Sequence, residues 1–124
     1  MKLRFTALTF LALFPGAAAF CAADPAERAH RLEHFEKRVR PLLQEHCVKC
    51  HGEKKQEGGL RLDSKAGWEK GGESGPVLVQ GRPEESALVR AVRYADKDLQ
   101  MPPKRRLTAS EVADLEAWIA QGAE

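Results

Sequence analysis

Apolar residues recur at Leu32, Phe35, Val39, Leu42, Leu43, Cys47 and Cys50, close to the three-and-four spacing of one helical face. Upstream, Asp24-Pro25-Ala26-Glu27 has the form of a helix start, with Asp as cap, Pro in the first helical position and Glu three residues after the cap. Pro41 lies inside the stripe. Because proline lacks an N–H and clashes with the preceding turn, a kink or a restart is expected there. Residues 52–81 lose the periodicity and are rich in glycine, so this stretch reads as mostly loop. Within it Leu60-Arg61-Leu62 predicts a very short strand, Ser64 to Lys70 a helical turn capped by Ser64, and Val77-Leu78-Val79 a buried stretch.

Pro83-Glu84-Glu85 predicts the start of a second helix, running through Leu88, Val89 and Val92 to about Tyr94. Leu99-Gln100-Met101 then leads into the stiff pair Pro102-Pro103 and the basic run Lys104-Arg105-Arg106. The last helix is fully signposted. Thr108-Ala109-Ser110-Glu111 is a capping box, Leu107 and Val112 stand at the positions of a hydrophobic staple, and Val112, Leu115, Trp118 and Ile119 form the apolar face that Gly122 ends. With no internal repeat and no interdomain linker, the pattern predicts one all-α domain.

The first residues follow a different rule. Met1-Lys2-Leu3-Arg4 is a short basic start, Phe5 to Phe14 an apolar run too short to span a bilayer, and Ala17-Ala18-Ala19 and Cys21-Ala22-Ala23 offer small-residue cleavage sites. Residues 1–23 therefore read as a secretory signal peptide and residues 24–124 as the domain, with cleavage after Ala19 or Ala23. Cys21 resembles a lipoprotein cysteine, although Phe20 stands where that class needs a small residue. A retained signal or a lipid on Cys21 would anchor the chain. The whole chain carries 20 Lys and Arg against 18 Asp and Glu. Loss of Lys2 and Arg4 balances it, so bulk charge gives no reason to expect a nucleic-acid partner.

Cys47-Val48-Lys49-Cys50-His51 is the attachment signature of c-type haem. Two thiols at this spacing can each add to one vinyl group of the macrocycle, and the adjoining His51 then reaches the iron as proximal ligand. Export agrees with this chemistry, which belongs to an oxidising space outside the cytoplasm. A structural zinc site would need four ligands, with His30, His34 or His46 joining the cysteines, but a second ligand pair at short spacing is missing. A thioredoxin-type pair would need a βαβ context, which is absent. A Cys47–Cys50 disulfide would close a very small loop and constrain the unfolded chain least.

A six-coordinate haem takes a distal ligand, and of the two methionines only Met101 survives signal removal. It is followed by two prolines that would hold a ligand segment stiff. His46 is held on the proximal side by Cys47, and His30 and His34 read as a solvated helix face. For Trp68 and Arg61 the preferred readings are core cover and solvated charge, over contact with haem propionates. No carboxylate pair or Ser-His-Asp order suggests a hydrolytic site.

Several blocks together carry a family likeness. They are Phe35 to Leu43, Cys47 to Gly52, Gly59-Leu60-Arg61-Leu62-Asp63-Ser64, Gly71-Gly72-Glu73-Ser74-Gly75-Pro76, Pro83-Glu84-Glu85-Ser86, Met101-Pro102-Pro103 and the Leu115 to Trp118 helix. The chain resembles the planctomycete-type cytochrome c domain over nearly all of residues 24–124. The resemblance implies a small class I cytochrome c-like fold with crossing first and last helices, which would bring the Phe35 face near the Trp118 face. It also implies one covalent haem c, with Cys47 and Cys50 as thioether donors and His51 and Met101 as iron ligands.

The function expected is single-electron transfer in the periplasm or another exported location, without substrate chemistry. Lys49, Lys54, Lys55, Lys104, Arg105 and Arg106 could form a positive collar for an acidic redox partner, or a solvated surface balanced by Glu53 and Glu57. Two alternatives remain: an open iron site that binds a diatomic gas or reduces peroxide, and a haem module delivering electrons to a dehydrogenase.

Overall fold

The Asp24 carboxylate accepts the Ala26 N–H at 3.0 Å, and Pro25 opens helix α1 (Pro25–His34), as the residue types predict. This computed structural model describes residues 24–124; the expected signal segment, residues 1–23 with Cys21, lies outside the described residues. The helical stripe does not run straight to the cysteines. Phe35–Val39 forms a π turn in which the Arg40 N–H donates to Phe35 O, and α2 (Arg40–His46) restarts with Pro41 in its first turn. Proline supplies no hydrogen bond and crowds the carbonyl four residues back, and a wider turn absorbs both effects. The break expected at Pro41 therefore falls just upstream of it. Leu32 is 40% exposed, so the buried part of the stripe begins at Phe35 and continues through Val39, Leu42, Leu43 and Cys47.

The glycine-rich stretch holds helix α3 (Lys65–Lys70), where Ser64 Oγ accepts the Gly67 N–H at 3.1 Å. The short strand expected at Leu60-Arg61-Leu62 does not form, and among the described residues there are isolated bridges but no strand. Its potential pairing is spent elsewhere: the Leu62 N–H donates to His51 O at 2.7 Å, and Arg61 is forked onto Asp63 at 2.8 and 2.9 Å.

The second helix is shorter than its pattern. Pro83–Glu85 is a single 3-10 turn, and Ser86 is extended at ψ 127° before α4 (Ala87–Val92) begins. Ser86 is wholly buried; its hydroxyl accepts the Val79 N–H at 2.9 Å and donates to Arg82 O at 3.0 Å. Helix continuity is given up to tie the Val77–Val79 stretch to α4.

Helix α5 (Ala109–Ala120) has the expected capping box, with Thr108 Oγ1 accepting the Glu111 N–H at 3.2 Å and Glu111 Oε2 accepting the Thr108 N–H at 2.7 Å. Leu115, Trp118 and Ile119 are buried on its inner face. Phe35, Trp68 and Trp118 form one aromatic group with centroids 5.1 to 5.9 Å apart, so the Phe35 and Trp118 faces meet as expected. The fold is all-α, and none of its described helices is long and apolar enough to cross a membrane.

Candidate functional site

The five-residue motif is carried by the end of α2. Leu43 O accepts the Cys47 and Val48 N–H groups at 2.9 and 3.0 Å, and Cys47 O accepts those of Cys50 and His51 at 3.1 and 2.9 Å. These tight turns bring Cys47, Cys50 and His51 to the wall of one cavity of about 130 Å³. Gly52 closes the motif for a steric reason, since a Cβ there would stand 2.5 Å from Val48 O.

His51 Nδ1 lies 3.0 Å from Glu57 O. A carbonyl can only accept, so Nδ1 carries the proton and the lone pair remains on Nε2, the arrangement that orients a metal-ligating histidine. Met101, Pro102 and Pro103 line the same cavity, with Leu62, Val77, Leu88, Val92 and Leu99 among its apolar walls. A second cavity of about 240 Å³ shares His51, Leu60, Val77, Leu99 and Met101 with the first and extends to Gly58, Gly72, Ser74 and Gly75. The two are lobes of one cleft, apolar near the thiols and more polar toward Ser74. Two thiols, an imidazole nitrogen and a thioether around apolar walls make up the donor set of a covalently held haem, and the residues fit that group.

Burial, reinforced by the neighbouring Cys50, pushes the Cys47 thiol up to about 11. His46 lines the cavity as well, and its Nε2 lies 3.6 and 3.7 Å from Glu45 and Glu111 carboxylate oxygens. His34 Nε2 donates to Asp114 O at 3.1 Å, which joins α1 to α5. Among the described residues no three His, Cys, Asp or Glu side chains gather to hold a metal ion. Among those residues Cys47 and Cys50 find no partners for a four-ligand zinc site.

Trp68 belongs to the aromatic core and does not line this cleft, and Arg61 is paired with Asp63. Two of the six basic residues of the collar are ion-paired within the chain, and a third packs on an aromatic ring. Lys55 pairs with Glu57 at 2.5 Å, Arg105 lies within 3.7 Å of Glu45 and Glu111, and Arg106 stacks on the Tyr94 ring. Two contributions escaped sequence reasoning. The Glu57 carbonyl carries no side-chain signal, and Tyr94, read only as a helix end, donates its hydroxyl to Pro102 O beside Met101.

One family model, described as Planctomycete cytochrome C, matches residues 47–105, from the first cysteine of the motif to Arg105. No curated protein and no solved structure matches the chain.

Proposed function

With residues 47–105 a planctomycete cytochrome C domain, we propose that the protein is a c-type, class I-like electron carrier. Cys47 and Cys50 would hold one haem through thioether bonds, and His51 and Met101 would bind its iron. The haem supplies a one-electron iron couple. The chain's own residues set its terms. Glu57 O, accepting the Nδ1 proton, orients the His51 ring and makes Nε2 more basic. The Met101 thioether favours the ferrous state. Pro102 and Pro103 have fixed φ and no N–H and would keep the segment that carries Met101 stiff. Leu62, Val77, Leu88 and Val92 line the cleft with apolar side chains, a setting that would disfavour extra positive charge on a bound haem.

No bond in a substrate is made or broken, so no group is assigned as general acid, base or nucleophile. Residues 1–23 act as the export signal and the domain, residues 24–124, works outside the cytoplasm. Its partners are electron donor and acceptor proteins. Lys49, Lys54 and Lys104 are exposed and unpaired among the described residues, a face suited to an acidic one.

The observation that carries this reading is the convergence of Cys47, Cys50, His51 and Met101 on one apolar cleft. The test is export in a host that ligates c-type haem, followed by denaturing electrophoresis and a potentiometric titration. One haem that stays with the denatured chain and titrates reversibly as a single-electron couple is the expected result. A chain that emerges without haem, or a haem protein that turns over peroxide, would overturn it.

A further inference from the structure

Helix α4 ends in a turn of the Schellman type: the Ala95 N–H donates to Arg90 O at 3.1 Å and the Tyr94 N–H to Ala91 O at 3.2 Å. That turn needs a left-handed residue, and glycine ordinarily fills the place because a side chain is disfavoured there. Here it is Tyr94, at φ 57°, the single tyrosine of the chain. A bulky residue in this conformation is an outlier, and an observed outlier is a reason to look for what it does.

The phenol does what glycine cannot. Its hydroxyl donates to Pro102 O, and its ring lies 5.0 Å from the Arg106 guanidinium, which in turn donates to Arg93 O at 2.9 Å. The Met101 N–H donates to Ala91 O at 3.1 Å, the same carbonyl that receives the Tyr94 N–H. Met101 is thus fastened to the end of α4 on one side through its own amide and on the other through Pro102 and Tyr94. Tyr94 lines neither lobe of the cleft, so it acts through the segment and not on the cleft's contents.

We infer that Tyr94 is a positioning residue for Met101, holding the segment that presents the thioether to the haem iron. The inference rests on the Met101 ligation proposed above. It gives the left-handed tyrosine a role that helix termination alone would assign better to glycine.

The experiment is imidazole binding to the exported ferric holoprotein, which requires Met101 to leave, read by loss of the thioether-to-iron absorption band. Tyr94→Phe keeps the ring under Arg106 and removes only the tether, so imidazole is expected to bind about two- to tenfold faster, the worth of one hydrogen bond. Tyr94→Gly relieves the left-handed conformation yet is expected to bind imidazole at least as fast as Tyr94→Phe. Ser64→Ala, which removes the cap of α3, should lower the urea midpoint and leave the imidazole rate alone. An unchanged rate in Tyr94→Phe, or an equal acceleration in Ser64→Ala, would overturn the positioning role. A wild-type haem protein without the band would instead overturn Met101 ligation itself, and the inference with it, before any variant is made.

Discussion

Replacing Ser86 by alanine should cost far more than the loss of one small hydroxyl suggests. Ser86 has no exposed surface, and its Oγ both accepts from Val79 N and donates to Arg82 O. The Leu88 N–H donates to Val77 O at 3.0 Å, and Val77 and Leu88 both line the cleft, so the hydroxyl secures one of its walls. Ser86→Ala deletes two hydrogen bonds and leaves the Val79 N–H without its partner. With about 1 kcal/mol net for a bond and about 1–3 kcal/mol for a buried orphaned group, the expected loss is roughly 2–3 kcal/mol. For a domain of this size that lowers Tm by roughly 10 °C or more. Urea unfolding of the holoprotein followed by far-ultraviolet circular dichroism measures it, with Ser64→Ala as comparison. Ser64 caps a single short helix and its loss should cost about 1 kcal/mol or less. A Ser86→Ala loss no larger than that of Ser64→Ala would show that the Ser86 hydroxyl does not secure this wall.

Three further outcomes follow from the geometry. Gly52→Ala places a Cβ 2.5 Å from Val48 O, so the motif turn must shift and stability should fall by about 1–3 kcal/mol in the same urea assay. The backbone N–H of Thr108 is the main cause holding the Glu111 carboxyl below its ordinary value. A group depressed in the folded state stabilises above its unfolded pKa of about 4.3 and loses that contribution as pH falls through the folded value. Glu111→Gln should therefore narrow the difference in urea midpoint between pH 7 and pH 3, and an unaltered difference would argue against the capping carboxylate. In haem-free polypeptide at pH 8, a Cys47 thiol at about 11 is roughly one part in a thousand thiolate. Maleimide labelling with peptide mapping should find Cys50 modified well before Cys47.

What was legible in the sequence was chemistry confined to a few neighbouring residues. Asp24, Ser64 and the Thr108–Glu111 box announce their helices because a cap and its partner amide lie within three positions. The haem motif is readable for the same reason, since two thiols and an imidazole act within five residues. The displaced break before Pro41 was half legible: the proline signals strain, but which turn widens depends on packing. Ser86, Leu62 and Tyr94 were not legible. Each departs from its local pattern to bond a group seven, eleven or eight positions away, and no periodicity records such partners. Met101 could be named by elimination, whereas what fastens it to α4 appears only in the fold.

Electron transfer by this chain depends on Cys47, Cys50, His51 and Met101 holding one haem between them. The most direct test is the visible spectrum of the exported protein, oxidised and reduced, before and after Met101→Ala. Sharp reduced haem bands that survive denaturation of the chain, and a thioether-to-ferric-iron band that disappears in the variant, are the expected result. Haem that stays attached while Met101→Ala leaves the spectrum unchanged would contradict it.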